Sequence, residues 1–211
     1  MKSLRILGLV MLFLGLMSPL VQGQRVADYN AVRDWSSVAN PAGAWSCGYK
    51  TAWNAPFTLD AAPGSEWTGI SAWWPGVIGD MPVIAHNDKK GEICAQTWCL
   101  PKNYLMLHPG PNGELSVLRW TVPETGMYVL RVWFEALDWS LITGTNFIVM
   151  HDGNGVLLKA HVGAYEQRSV FAPRPMKLGK GETLDFMANW AKSGNNYGGS
   201  TGVAVRIWKI R

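Results

Sequence analysis

Paired carboxylates are the first chemistry to look for, because two facing carboxyl groups can hydrolyse a glycosidic bond when they stand about 5–10 Å apart. Asp138 and Asp185 are the best-placed candidates, but the predicted strand pattern puts them toward opposite ends of the molecule. The chain also has no Gly-x-Ser-x-Gly turn, no His-Glu-x-x-His pair and no glycine-rich phosphate loop. We therefore expect no catalytic residues, and a hydrolase with an unrecognised site is a remote alternative.

Metal-binding chemistry is also poorly supported. A zinc site needs four ligands at a recognisable spacing, whereas the chain has three cysteines and four scattered histidines. His151 and His161 flank a predicted hairpin, whose ladder would hold them about 17 Å apart at about 3.3 Å per residue. His108 and His161 share a predicted end, which leaves one metal pairing open. We expect no cofactor; a structural Ca²⁺ stays open, although no run of Asp and Asn has the spacing of a calcium loop.

The three cysteines allow at most one disulfide within the chain. Cys94 and Cys99 bracket four residues, a short loop that one bridge would close. Cys47 lies far away in sequence. The sequence alone leaves the pairing among the three open.

Aromatic and amide side chains are the residues with the clearest binding chemistry. The chain has 12 Trp in 211 residues, and Trp serves either as core filling or as an exposed stacking surface. Aromatic faces stack on the apolar side of sugar rings, and Asn and Asp offer paired hydrogen bonds to neighbouring hydroxyls. Residues of these types in or beside predicted loops form the candidate ligand-binding set: Asp138, Trp139, Asn146, Tyr165, Trp190, Asn195, Asn196 and Tyr197.

The elements that must position these residues are β-strands. From residue 45 onward, short runs alternate between apolar and polar residues and are broken by Gly, Pro and Asn. The clearest predicted strand covers residues 127–136. Further predicted strands cover residues 46–53, 67–73, 81–86, 104–108, 115–122, 147–151, 156–161, 168–174, 183–190 and 203–210. This pattern predicts an all-β fold, a two-sheet antiparallel β-sandwich of the jelly-roll type.

The alternation of strands also predicts which loops meet. If each strand crosses the sandwich once, successive loops lie at alternate ends. Loops 123–126, 152–155 and 177–182 then share one end, where the turns are short. The longer loops share the other end: 108–114, 138–145, 161–167 and 191–199. Most candidate residues fall in this second group, although turn formation by Asn195 and Asn196 and core capping by Trp139 and Trp190 are the simpler interpretation.

A second candidate surface is the face of a sheet. In the predicted strands, Arg131 and Trp133 point away from the core, and Arg206 and Trp208 repeat the pattern. A flat Trp-bearing face can bind a polymer chain. The simpler interpretation is that Arg stacks on Trp for local stability, which contributes about 0.5–1 kcal/mol when exposed.

Several motifs give the chain a family resemblance. The opening Asp34-Trp35-Ser36-Ser37, Asn40-Pro41-Ala42-Gly43 and Trp45-Ser46-Cys47-Gly48-Tyr49 resembles that of a family of exported bacterial jelly-roll domains. The match continues through the segments at 107–110, 117–123, 125–128, 181–186 and 201–202. The family is described as similar to carbohydrate-binding modules, and no catalytic residues are carried over from it. The resemblance implies a secreted or surface β-sandwich.

The N-terminus predicts export. Lys2 and Arg5 precede an apolar stretch at residues 6–17, and Val21-Gln22-Gly23 is typical of a signal peptidase site. The apolar stretch is shorter than the about 20 residues that span a bilayer. We therefore expect a signal peptide at 1–23, a single domain at 24–211 without a membrane span, and a periplasmic or extracellular location.

The charge balance argues against nucleic acid as a partner. Without Lys2 and Arg5, 17 basic and 15 acidic residues remain, a net charge of +2 with no basic stripe. Our leading hypothesis is a non-catalytic protein that recognises a glycan or cell-surface polymer through the loops at one end. The alternative is a structural or adhesive protein that binds protein partners through an exposed apolar area near Trp73, Trp74, Pro75 and Val77.

Overall fold

The structure is a computed structural model that describes residues 24–65, 68–140, 144–152, 155–190 and 194–211. The predicted signal peptide and Trp67 lie outside the described residues. Among the described residues no helix is long and apolar enough to cross a membrane. The described chain is built from β-strands, which confirms the all-β prediction.

The strands and their bounds are β1 (Arg25–Asn30), β2 (Trp45–Lys50), β3 (Thr58–Leu59), β4 (Ala62–Ser65), β5 (Ser71–Trp74), β6 (Val83–His86), β7 (Ile93–Ala95), β8 (Trp98–Leu100), β9 (Leu105–His108), β10 (Leu115–Thr121), β11 (Gly126–Ala136), β12 (Thr145–His151), β13 (Gly155–Val162), β14 (Arg168–Leu178), β15 (Thr183–Trp190) and β16 (Thr201–Ile210).

These strands form two antiparallel sheets and a separate hairpin. The large sheet runs β14–β11–β16–β9–β6–β5–β4. Strand β1 pairs with the second half of β16, beyond the three residues of β16 that pair with β9. The small sheet runs β13–β12–β15–β10–β2–β3, and β7 and β8 form the two-stranded hairpin.

The inner core lies between the two sheets. Strand β11 alternates as predicted: Tyr128, Leu130, Val132, Phe134 and Ala136 are all buried in this core. Aromatic pairs join the sheets, with the Phe134 and Phe147 rings stacked at 4.1 Å and Trp120 edge-on to Tyr128 at 5.2 Å. Such pairs add about 0.5–1.5 kcal/mol each beyond the area they bury.

A second, outer core covers the other face of the large sheet. Trp74 of β5 and Met106 of β9 point outward and pack with Trp98 and Leu100 of the β7–β8 hairpin. Tyr104, just before β9, completes this contact. The part of the large sheet formed by β5, β6 and β9 is therefore buried on both faces, which explains why these short strands do not show a clean alternation of apolar and polar residues.

The outer face of the small sheet holds a buried charge cluster. The two oxygens of Asp185 accept hydrogen bonds of 2.7 and 2.9 Å from Arg119. Lys50 Nζ lies 2.7 Å from the same carboxylate, and both Lys50 and Asp185 are almost fully buried. The Arg119 guanidinium also stacks 4.1 Å from the centre of the Phe57 ring. Because Asp185 has two cationic partners, its burial is compensated.

The opening motif serves the fold. The side-chain amide of Asn40 donates to the backbone oxygens of Cys47 and Asp60 at 2.8 and 2.9 Å, and its Oδ1 accepts from the Cys47 backbone N–H. In the same segment, the Trp73 indole N–H donates to the Ser36 carbonyl. Asn40 therefore clamps the segment before β2 to the end of β3.

Most strands lie where the sequence predicts them, and the differences are local. The predicted hairpin corresponds to β12 and β13, but His151 pairs with Gly155 and not with Val156. An additional residue in β13, Leu157, shifts the register at this point. The sequence analysis missed five short strands altogether: β1, β3, β4, β7 and β8.

Asp60 is a buried carboxyl group without compensation. Its side chain is 1% exposed, and neither of its oxygens has a hydrogen-bond partner among the described residues. Burial raises the pKa of Asp60 from 3.8 to about 8. Burial, and then the nearby Asp60 carboxyl, raises the pKa of the Cys47 thiol well above its usual value. Asp60 is therefore protonated in the folded protein at neutral pH.

This carboxyl group should make stability depend on pH. Folding raises the pKa of Asp60 from 3.8 to about 8. Below pH 3.8 the carboxyl group is protonated in both the folded and the unfolded chain, and its contribution to stability is complete. As the pH rises from 3.8 to about 8, only the unfolded chain ionises at Asp60, so the free energy of unfolding falls. The loss is about 1.4 kcal/mol per pH unit. As the pH is raised from 5 to 8, we expect the free energy of unfolding of Asp60→Asn to increase relative to that of the wild type. Urea unfolding at each pH measures this difference. Asp80→Asn, at an exposed position, is the matched control, and an equal pH dependence in both variants would contradict this account.

Candidate functional site

The long loops meet at one end of the sandwich. Leu137 N–H donates to the Ser200 carbonyl at 3.0 Å, and Ala136 N–H donates to the Gln167 carbonyl at 3.1 Å. At the opposite end, Val122 bonds to Glu182, and Asp152 N–H donates to the Thr183 carbonyl. The loops are therefore distributed between the two ends as the strand alternation predicts.

The β7–β8 hairpin joins the long-loop end, and the sequence analysis did not foresee this. Cys94 and Cys99 form a disulfide that closes the hairpin. Trp139 N–H donates to the Thr97 carbonyl at 2.9 Å, and Cys99 N–H donates to the Leu137 carbonyl at 3.0 Å. The hairpin is thus held by its backbone against the loop that contains most of the candidate residues.

A cavity of about 350 Å³, which we call the loop-end cavity, lies between the hairpin and these loops. Three of the predicted site residues line it: Asp138, Asn196 and Tyr197. Polar groups from the hairpin and its neighbours face the same space, namely Gln96, Thr97, His108, Ser140 and Ser200. Met81, Val83, Trp98 and Met106 provide its apolar wall.

Asp138 and His108 give the cavity its fixed polar groups. Asp138 is buried, and its Oδ1 accepts hydrogen bonds from the backbone N–H and hydroxyl of Ser140 at 2.9 and 2.6 Å. Burial lowers the pKa of His108, opposed by its hydrogen bond to Pro109. Because Nδ1 donates to the Pro109 carbonyl at 3.0 Å, the neutral ring keeps Nε2 as an acceptor.

Trp139 and Tyr165 form an exposed aromatic pair at the same end. Their ring centres are 5.8 Å apart in an edge-on arrangement. Trp139 is 48% exposed and Tyr165 38% exposed. Trp139 lies in the chain between two cavity-lining residues, Asp138 and Ser140. The pair therefore offers aromatic surface beside the loop-end cavity.

The 194–199 segment shows both roles that the sequence left open, formation of a turn and contact with a ligand. Asn195 Oδ1 accepts a hydrogen bond from Tyr197 N–H at 3.0 Å, which is a turn-forming contact. Asn196 donates to the Pro109 carbonyl, at 3.5 Å, and lines the cavity. Tyr197 is 86% exposed, so its ring is free to contact a ligand.

The structure does not bring Asn146 and Trp190 to this cavity. Asn146 contacts His161 at 3.2 Å and lines a separate depression on the small sheet, together with Trp53 and other residues. Trp190 packs against Gly113, where an added Cβ would lie 3.3 Å from its ring. The alternation of strands predicts at which end of the sandwich a residue lies, but it does not predict to which of the two sheets the residue belongs.

The second candidate surface shows the predicted stacking. The Arg131 guanidinium lies 4.5 Å from the centre of the Trp133 ring. On β16, Trp208 is stacked by Arg25 at 4.4 Å, whereas Arg206 pairs with Asp28 at 2.9 Å. The stacking of Arg on Trp is therefore found at Trp133 and Trp208, but Arg206 forms an ion pair and does not stack on Trp208.

The apolar area predicted around Trp73 and Trp74 is not exposed. Trp73 is 4% exposed and Trp74 1% exposed, because consecutive residues of β5 point into the inner and outer cores. Val77 and the neighbouring Ile78 remain more than half exposed. Two adjacent aliphatic side chains make a much smaller surface than the predicted one.

The residues considered for metal binding and for hydrolysis do not form such sites among the described residues. Among the described residues, one set of three possible metal ligands lies close together, Glu92, Cys94 and Cys99, but the two sulfurs are bonded to each other. Asp185 belongs to the buried cluster with Arg119 on the small sheet, while Asp138 lies in the loop-end cavity.

Comparisons with known proteins give only partial likenesses. No family model matches the chain, and no curated protein matches it. The C-terminal CBM6 of LamC, a laminarinase from Zobellia galactanivorans, is similar to 50% of this chain over 80% of its own length, at 17% identity and a TM-score of 0.29. A family 35 carbohydrate-binding module from Clostridium thermocellum is similar to 59% of the chain over 86% of its own, at 13% identity and a TM-score of 0.32. The ANXUR2 extracellular domain from Arabidopsis thaliana matches 63% of the chain and 40% of its own, at 14% identity and a TM-score of 0.41.

The two kinds of Trp should differ in what they contribute to stability. Trp139 is half exposed and contacts Tyr165, so Trp139→Ala should lower the free energy of unfolding by only about 1 kcal/mol. Trp74 is buried in the outer core, so Trp74→Ala should lower it by about 3–5 kcal/mol. Urea unfolding followed by circular dichroism measures both. A loss of 3 kcal/mol or more for Trp139→Ala would mean that this ring caps the core.

Proposed function

We propose that this protein is an exported, non-catalytic binding protein that recognises a neutral glycan in the loop-end cavity. The observation that carries the proposal is the convergence of polar and aromatic groups there. Asp138, Asn196 and Gln96 offer hydrogen bonds to hydroxyls, and Tyr197 offers an exposed ring. The disulfide agrees with an oxidising compartment outside the cytoplasm.

The size of the cavity favours the end or a branch of a chain. Its volume of about 350 Å³ is near the lower limit of small-molecule sites, about 300–1,000 Å³. One or two sugar units would fill such a space. Further units would extend toward the Trp139–Tyr165 pair, which stands beside the cavity.

Affinity electrophoresis in gels that contain neutral soluble polysaccharides tests the proposal. We expect retardation of the wild type by at least one of them, and a roughly tenfold weaker affinity for Tyr197→Ala and Trp139→Ala, because each loses a stacking ring. Trp53→Ala is the matched control, since Trp53 is 46% exposed but lines a different depression. Folded wild-type protein that no neutral glycan retards would overturn the proposal, as would equal losses in all three variants.

A further inference from the structure

A larger groove lies on the outer face of the large sheet. Its volume is about 860 Å³, and it shares no lining residue with the loop-end cavity. Strands β11, β14 and β16 form its floor. One wall is the segment after β1, with Arg33, and the other is the segment before β9, with Lys102. We call it the sheet-face groove.

The floor of the groove has an apolar row. In the register of the sheet, Trp133 pairs with Val170 on one side and with Ala204 on the other. Val170 is 49% exposed, and Trp133 is partly buried. Side by side, these three residues give an apolar strip across three strands. The Arg131 guanidinium lies over one face of the Trp133 ring, and the exposed Val170 is open to the C–H groups of a sugar.

Basic side chains flank this row on both sides. On β14, Arg168 precedes Val170 by two residues and is in register with Glu135. On β16, Arg206 follows Ala204 by two residues and is in register with Arg131, so it lies on the other side of the row. The side chains of Arg168 and Arg206 are 62% and 44% exposed. No acidic residue is among the described residues that line the groove.

Carboxylates beside the groove hold several of these cations in place. Glu135, whose side chain is 4% exposed, pairs with Arg168 at 2.9 Å. Asp28 accepts hydrogen bonds from Arg206 at 3.2 and 2.9 Å. Arg33 is held by Asp34 at 2.7 Å and by Asp28 at 3.4 Å, which engages all three of its nitrogens. Arg168 and Arg206 are therefore the cations held on one edge only. Each guanidinium has five donors in a planar fork, so an Arg held on one edge still presents N–H groups on the other.

Two further cationic side chains, Lys102 and Arg131, are not paired with a carboxylate among the described residues. Lys102 is exposed on the groove wall. Arg131 does not itself line the groove, but it is exposed and its guanidinium lies over the ring of Trp133, which does line it. Their charges are therefore available to a ligand.

The spacing of the cations indicates an extended ligand. Arg168 and Arg206 are separated by two strand spacings and four residues, so their Cα atoms lie roughly 16 Å apart at about 4.8 Å per strand and 3.3 Å per residue. Because Glu135 and Asp28 hold the two guanidinium groups, contact with both favours a ligand longer than a single phosphate or sulfate ion. A chain with repeated negative charges and apolar ring faces can contact both and cover the row between them.

We propose that the sheet-face groove is a second binding site, which takes a stretch of anionic polysaccharide carrying carboxylate or sulfate groups. The site is independent of the loop-end cavity and goes beyond neutral glycan recognition. A nucleic acid fits less well, because the row has a single aromatic ring and the chain beyond residue 23 has a small net charge. An acidic peptide would not use the flat apolar row.

Affinity electrophoresis tests this site with two anionic polysaccharides, polygalacturonate as the carboxylated chain and dextran sulfate as the sulfated chain. Dextran is the uncharged control, and poly-glutamate and duplex DNA are the anionic controls without a polysaccharide backbone. We expect retardation by at least one of the two anionic polysaccharides, weaker at higher salt, and less by poly-glutamate and DNA. The polysaccharide that binds more tightly identifies the charged group. Equal or stronger retardation by poly-glutamate or DNA would overturn the proposal, as would none by either anionic polysaccharide.

Charge-reversal variants locate the site. Lys102→Glu and Arg131→Glu should each weaken binding roughly fivefold or more. Lys180→Glu is the matched control, because it changes the net charge equally at an exposed position at the opposite end. Equal losses for Lys102→Glu and Lys180→Glu would overturn the groove as the site. Tyr197→Ala should leave this binding unchanged, and Lys102→Glu should leave neutral glycan binding unchanged, so either site can fail without the other.

Discussion

The part of the large sheet formed by β5, β6 and β9 must be covered on both faces, and much of the structure follows from this requirement. Trp73 and Trp74 are consecutive in β5, so alternation sends one ring into the inner core and the other into the outer core. Burying a large apolar side chain contributes about 1.5–3 kcal/mol, and the outer face has several of them. The small sheet covers one face. The β7–β8 hairpin and the segments beside it cover the other.

This outer cover also creates both candidate binding surfaces. Thr97, in the hairpin turn, lines the loop-end cavity, and Lys102, five residues later, lines the sheet-face groove. The disulfide and the backbone bonds to Leu137 and Trp139 hold the cover in one position. A ligand therefore meets walls that are already ordered, which lowers the conformational entropy lost on binding. Stability and recognition depend on the same segment.

The parts of the fold that the sequence predicts are those with one buried face. Strand β11 has a clean alternation from Tyr128 to Ala136, and the structure confirms it. Four of the missed strands, β3, β4, β7 and β8, are two to four residues long, and β4 also contains Pro63 and Gly64, which argue against a strand. The fifth, β1, has six residues but no clean alternation of apolar and polar residues. The loop-end cavity was predictable only in part, because alternation assigns Asp138 and Tyr197 to the correct end but cannot reveal that a distant hairpin supplies Thr97. The groove needs β1 and the segment before β9, which have no periodic signal.

Buried carboxylates show how this molecule uses charge. Asp185 has two cationic partners that compensate its burial, whereas Asp60 has none and stays protonated at neutral pH. Glu135 lies between these cases, since one oxygen pairs with Arg168 and the other has no partner among the described residues. Such pairing lowers the net charge at the groove and fixes the direction of each guanidinium. Attraction for any polyanion is thereby weakened, while a ligand whose anions match the fixed positions gains bidentate contacts. Selectivity then comes from the spacing of the charges, and a small net charge becomes compatible with recognition of an acidic chain.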